Sequence, residues 1–147
     1  MKRLLPCMKT MLCNLSLLLA IGGACFLPSR AGAQGGVPLW TNRYNGPGNG
    51  TDQANAIAVD TNGNVYLTGH SFGDGGHGDD FATIKYSSAG VPLWTNRYRG
   101  PGSFPGDDAR SIAVDGSGNV YVTGASANSV MFASPDYATI KYSGAGV

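Results

Sequence analysis

Apolar positions along this chain come in short bursts separated by Gly, Asn, Asp, Ser and Pro, and from residue 36 the bursts repeat. Gly36-Val37-Pro38-Leu39-Trp40-Thr41-Asn42-Arg43-Tyr44 recurs unchanged from Gly90 to Tyr98 and begins again at Gly146-Val147. Self-similarity at a fixed long period is the mark of a repeat architecture. Each copy contains four runs of the length and composition of β-strands, rich in β-branched and aromatic residues and bounded by turn formers. The first is expected at Val37 to Tyr44 and again at Val91 to Tyr98, the second at Ala54 to Asp60 and Ala109 to Asp115. The third is expected at Asn64 to Gly69 and Asn119 to Gly124, the fourth at Phe81 to Ser87 and Tyr137 to Ser143.

Between the second and third runs stand Asp60-Thr61-Asn62-Gly63-Asn64 and Asp115-Gly116-Ser117-Gly118-Asn119. Asp at the start of such a segment accepts hydrogen bonds from the turn's own amides, and Gly63 and Gly118 supply the positive φ that closes a hairpin. Four short antiparallel strands in about fifty residues make one propeller blade, covered on both faces by its neighbours. Such double burial accounts for the weak alternation in Ile57-Ala58-Val59. A β-sandwich is the competing architecture, but nothing in a sandwich calls for near-identical blocks of this length. The expected fold is all-β: two tandem four-stranded β-propeller repeats, 36–89 and 90–145, with the start of a third at 146–147.

Residues 1–33 have a different character. Lys2, Arg3 and Lys9 precede a mostly apolar stretch from Met11 to Leu27, and Ala31-Gly32-Ala33 has the small-x-small pattern of a cleavage site. A signal peptide cut after Ala33 is expected, giving a secreted, periplasmic or cell-surface product that begins at Gln34. The apolar core is short for a retained membrane anchor. Lipidation at Cys25 is disfavoured by Gly22, which stands where a lipobox wants Leu.

Composition narrows the function. Cys7, Cys13 and Cys25 all fall in the leader, so the region after it has neither disulfide nor thiol. The leader also holds Lys2, Arg3, Lys9 and Arg30 of the 10 basic residues; against 9 acidic ones the remainder is net negative, which argues against a nucleic-acid partner. Every acidic residue is Asp, and 23 Gly and 8 Pro favour turns over helices.

The blocks Asp107 to Gly124 and Asp136 to Ser143 resemble the SBBP-type β-propeller repeat of secreted bacterial proteins, and the resemblance runs from Gly36 to Val147. It implies a propeller, export, and arrays of repeats, often inside larger surface or secreted proteins; it implies no catalytic residues. The hairpin phrase alone resembles NHL repeats and the Gly-to-Trp phrase resembles quinoprotein blades, but neither covers the whole unit. Known propellers close with about four to eight blades. A truncated array is therefore expected, or one in which Val37 to Tyr44 completes the last blade, in the same molecule of a longer ring or in a neighbour by strand exchange.

Several residues are candidates for chemistry. Asp74, His77, Asp79 and Asp80 lie close together on a Gly-rich segment and offer hard oxygen ligands, for which calcium is the natural ion. The spacing is not that of an EF-hand, the corresponding segment Ala125 to Pro135 has no acid, and a solvated loop is the preferred reading. Asp52, Asp107 and Asp108 precede the expected inner strands and would line a ligand site at the channel mouth or, by preference, cap the turn there. Trp40 and Trp94 read as packing anchors between blades, with a carbohydrate platform as the alternative. Lys85 and Lys141 are expected to bury their stems and solvate their heads, and His70 is unassigned. No Ser-His-Asp phrase, paired Glu, zinc motif or phosphate loop is present, so neither a self-contained enzyme nor a cofactor is expected. The leading reading is an exported binding or structural module for protein or glycan, part of a longer repeat array. The alternative is a scaffold segment of a larger secreted carbohydrate-active enzyme, and coding sequence downstream of Val147 discriminates the two.

Overall fold

The hairpin turns dominate the architecture. In a computed structural model that describes residues 35–147 apart from 77, 103–105 and 129–133, seven strands form two antiparallel meanders. The expected signal peptide lies outside the described residues. The first sheet has the order β1 (Asp52–Val59), β2 (Val65–Phe72), β3 (Asp79–Tyr86), β4 (Pro92–Tyr98). The second has β5 (Asp108–Val114), β6 (Val120–Ser126), β7 (Asp136–Tyr142). A single turn of 3-10 helix, Asp74–Gly76, joins β2 to β3. The chain is all-β, built as two open propeller blades within the unit Val37–Val147.

The two sheets are near copies in register as well as in sequence. Leu67 pairs with Ile84 in the first and Val122 with Ile140 in the second. Both inner strands carry a bulge at the same place, between Ala54 and Ala56 and between Ala109 and Ser111. Gly69 and Gly124 face the bulges, where a Cβ would run into the carbonyl oxygens of Gln53 and Asp108. Each sheet places one face against the other. Tyr66 and Phe81 from the first meet Ala109, Val120 and Val122 from the second, with Trp94 and Tyr142 closing the outer end. Away from this shared face Ile57 is 65% and Tyr137 88% exposed.

Two expectations are corrected. Val37 to Tyr44 is not a strand, although its identical copy is strand β4. A strand is defined by a ladder, and β4 has the edge of β3 to pair with, whereas no described strand presents an edge to Val37–Tyr44. The second correction concerns Asp79 and Asp80, which lie on β3 and pair with Phe72 and Ser71; the expected loop between the third and fourth runs is shorter because β2 continues to Phe72.

Candidate functional site

At one end of the blade pair the two hairpins stand side by side. Asp60 Oδ1 accepts from the amides of Asn62 and Asn64, both at 2.9 Å, and its Oδ2 accepts from Asn64 Nδ2 and the Tyr66 hydroxyl at 2.8 and 3.0 Å. Asp115 repeats the arrangement with Ser117, Asn119 and Tyr121 at 2.9, 2.9, 2.8 and 3.2 Å. Gly63 and Gly118 take φ of 77° and 80°, as the turn demands. Hydrogen bonds from Asn119 hold the Asp115 carboxyl below its ordinary value; for Asp60 partial desolvation pushes upward, and the Asn64 bonds outweigh it.

Between the hairpins lies a groove of about 340 Å³, lined by Thr61, Asn62, Ser117, Lys85 and the two turns. Lys85 crosses it: its amine donates to the Gly144 carbonyl at 3.0 Å and sits 5.0 Å from the centre of the Tyr66 ring. The head of Lys85 is therefore tied to the next blade, whereas Lys141, 5.4 Å from the Tyr121 ring centre, is exposed.

The opposite end carries the remaining acids. Asp107 is buried and fully used by backbone, accepting from Gly100 N at 2.6 Å and Ala127 N at 2.9 Å. Asp52 holds Gly46 N at 3.0 Å through Oδ2, and its Oδ1 is buried without a partner. Both thus act as turn caps. Asp108 bridges the blades: Asn55 Nδ2 and His70 Nδ1 lie at 2.6 and 3.2 Å from Oδ1, and Arg110 Nε donates to Oδ2 at 2.9 Å. Desolvation raises the Asp108 pKa, but the bonds from Arg110 and His70 prevail and lower it. The β1 bulge sends Asn55 across to Asp108 and to the Ala109 carbonyl, so it works as a connector between inner strands.

The metal candidates meet cations of the protein's own. Asp80 receives Arg97 at 2.9 Å and Arg99 at 3.2 Å, and Asp74 receives Arg99 at 3.1 Å. Asp79 contributes its carbonyl to the Asp107 amide at 2.7 Å. His77 lies outside the described residues. Among the described residues no three His, Cys, Asp or Glu side chains gather as a metal site.

Arg97 escaped sequence reasoning. Besides Asp80 it donates to Ser71 Oγ, to the Ser71 carbonyl at 2.9 Å and to the Tyr44 hydroxyl at 3.2 Å, tying β2, β3 and β4 together. The available signal was its recurrence as Arg43 inside the invariant nine-residue phrase. Trp94 is the anchor expected of it, with ring centres of Tyr66 and Tyr142 at 6.2 and 6.0 Å on two different blades.

A comparison with curated proteins returns no match. Two segments, residues 39–76 and 97–129, match the family model of the SBBP β-propeller repeat. The doubled hairpins, the doubled bulges and these two matches identify two SBBP β-propeller repeats in the chain.

Proposed function

We propose that the chain is an exported, non-catalytic binding module, presenting the ends of its blades to a glycan or an extended peptide as part of a longer propeller array. The observation that carries this reading is the groove of about 340 Å³ between the Asp60 and Asp115 hairpins. Its walls offer exposed hydroxyl and amide groups from Thr61, Asn62 and Ser117, suited to hydroxyl-rich or main-chain ligands, on turns held rigid by internal carboxylate bonds. Because Asp60, Asp80, Asp107, Asp108 and Asp115 are engaged with the protein's own amides and cations, the reading assigns them to architecture and assigns recognition to the neutral polar groups between the hairpins. The basic, apolar and small-residue pattern of residues 1–33 supports export.

The test is titration of the exported, isotope-labelled chain with short neutral oligosaccharides and with extended peptides, read by amide chemical shifts. Shifts confined to residues 61–64 and 116–119, and lost in an Asn62→Ala, Ser117→Ala double variant, are expected for one of the two classes. Binding that maps elsewhere, or no shift with either class, overturns the reading.

A further inference from the structure

The first repeat holds Asn45-Gly46, Asn49-Gly50 and Asn62-Gly63, and by residue type the three pairs are equals. In each, the side-chain carbonyl carbon of Asn can be reached by the next backbone nitrogen, which glycine leaves unshielded because it has no Cβ. The structure separates them. Gly46 is buried, and its amide donates to Asp52 Oδ2 at 3.0 Å. The Gly63 amide donates to the Asp60 carbonyl at 3.0 Å, inside a turn whose Asn62 and Asn64 amides are held by Asp60 Oδ1. The Gly50 amide has no acceptor among the described residues, and both Asn49 and Gly50 are exposed.

Asn49 is set apart in two further ways. Among the described residues it is the one non-glycine with positive φ, 49°, a left-handed conformation that a side chain adopts only at a cost. Strand β1 does not begin until Asp52, so rotation of the Asn49-Gly50 peptide toward the side chain breaks no ladder bond. The Asn49 carbonyl is also prepared for attack: its Oδ1 accepts from Asn45 Nδ2 at 2.6 Å. Negative charge develops on that oxygen when a nucleophile adds to Cγ, and a donor already aimed at it stabilises the charge.

We propose that Asn49-Gly50 is a site of spontaneous covalent self-modification, at which Asn49 becomes aspartate and isoaspartate. The Gly50 nitrogen gives its proton to hydroxide and bonds to Asn49 Cγ. The bond from Cγ to the side-chain nitrogen then breaks, and ammonia leaves with a proton from water, which restores the hydroxide. The cyclic imide so formed takes up one water. Opening at Cγ gives aspartate; opening at the main-chain carbonyl gives isoaspartate, with the backbone running through the side-chain carbon. No group is oxidised or reduced. Both products add a negative charge to the turn leading into Asp52. Isoaspartate also lengthens the backbone just before Thr51, whose carbonyl accepts from the Phe72 amide at 3.0 Å at the end of the β1–β2 ladder.

The experiment holds the full chain at mildly alkaline pH, folded and in urea, and samples it over days. Fragmentation mass spectrometry that separates aspartate from isoaspartate then localises the product at each Asn. In the folded chain Asn49 is expected to convert severalfold faster than Asn45 and Asn62, and in urea the three rates converge. Asn45→Ala is expected to slow conversion at Asn49 severalfold in the folded chain and to leave it unchanged in urea, with the circular dichroism of the sheets intact. A folded chain in which Asn45 or Asn62 converts as fast as Asn49 overturns the proposal. A folded Asn49 rate indifferent to Asn45→Ala overturns the part given to the Asn45 amide.

Discussion

Trp94 donates its indole N–H to the carbonyl of Gly144, fifty residues further on, at 3.2 Å. That carbonyl also accepts from Lys85, so two side chains of one blade converge on the turn of the next. The recurrence of Trp at the same place in every copy of the phrase is thus a stitch between blades. Replacing Trp94 by Phe keeps most of the ring packing and removes the donor, at a cost of about 1 kcal/mol. Trp94→Ala is expected to cost about 3 to 5 kcal/mol. Trp40→Ala should cost clearly less, since Trp40 is 37% exposed and contacts one ring. Urea denaturation followed by tryptophan-independent circular dichroism ranks the three; equal losses for Trp40 and Trp94 would contradict the packing described.

Asp52 and Asp107 occupy equivalent positions but do unequal amounts of bonding. Asp107 holds two buried amides, Asp52 one, with its second oxygen unpartnered. Removing Asp107 strands both donors, so Asp107→Ala is expected to destabilise by roughly 3 kcal/mol and Asp52→Ala by about half that. Chemical denaturation of the two variants side by side tests the difference, and the reverse ranking would refute it.

Asp60, Asp108 and Asp115 all have pKa values lowered in the folded chain. A group depressed on folding contributes stability that is present in full above its unfolded value and is lost as pH falls through the folded one. Stability should therefore be flat above about pH 5 and drop as the pH goes below about 4, the ordinary carboxyl range. Asn119→Ala removes the main stabiliser of the Asp115 carboxylate, brings its folded value back toward the unfolded one, and should make the drop smaller on a chain already less stable at neutral pH. Melting curves between neutral pH and about pH 3 carry the test; an acid-side loss as large in Asn119→Ala as in the parent chain would show that the turn bonds do not govern it.

Lys85 and Lys141 have the same sequence surroundings and different neighbours. Lys85→Met gives up a bond to Gly144 across the blade interface and a position over Tyr66, for a loss of about 1 to 2 kcal/mol. Lys141→Met gives up an exposed contact with Tyr121 and should change stability by less than about 0.5 kcal/mol. Thermal denaturation distinguishes them, and a larger effect at Lys141 would reverse the assignment.

Local chemistry was legible from the residues. Asp60 and Asp115, with glycine three positions on, close their hairpins by bonds within five residues, and the strand runs and their repetition need no distant partner to be seen. The weak alternation of Ile57-Ala58-Val59, read as cover on both faces, is corrected by the structure: β1 packs against β5, but Ile57 and Val59 are 65% and 60% exposed on the other face. What depended on contacts between residues far apart in sequence was invisible. Asp80 looked like a loop ligand because nothing nearby marks Arg97 as its partner across the β3–β4 ladder, and Asp108 gave no sign of Asn55 and His70 on the other blade.

The same nine residues show where the division lies. Gly36 to Tyr44 and Gly90 to Tyr98 are identical, so composition, propensity and pattern assign them one structure. The second is strand β4 and the first is not a strand, although both seat their tryptophan and asparagine on the following turn at matching distances. Side-chain anchoring follows from the residues themselves; pairing follows from whether an edge is there to supply the other half of each backbone hydrogen bond. The sequence by itself determined the blade, its turns and its repetition, while only the tertiary structure decided which strand completes which sheet.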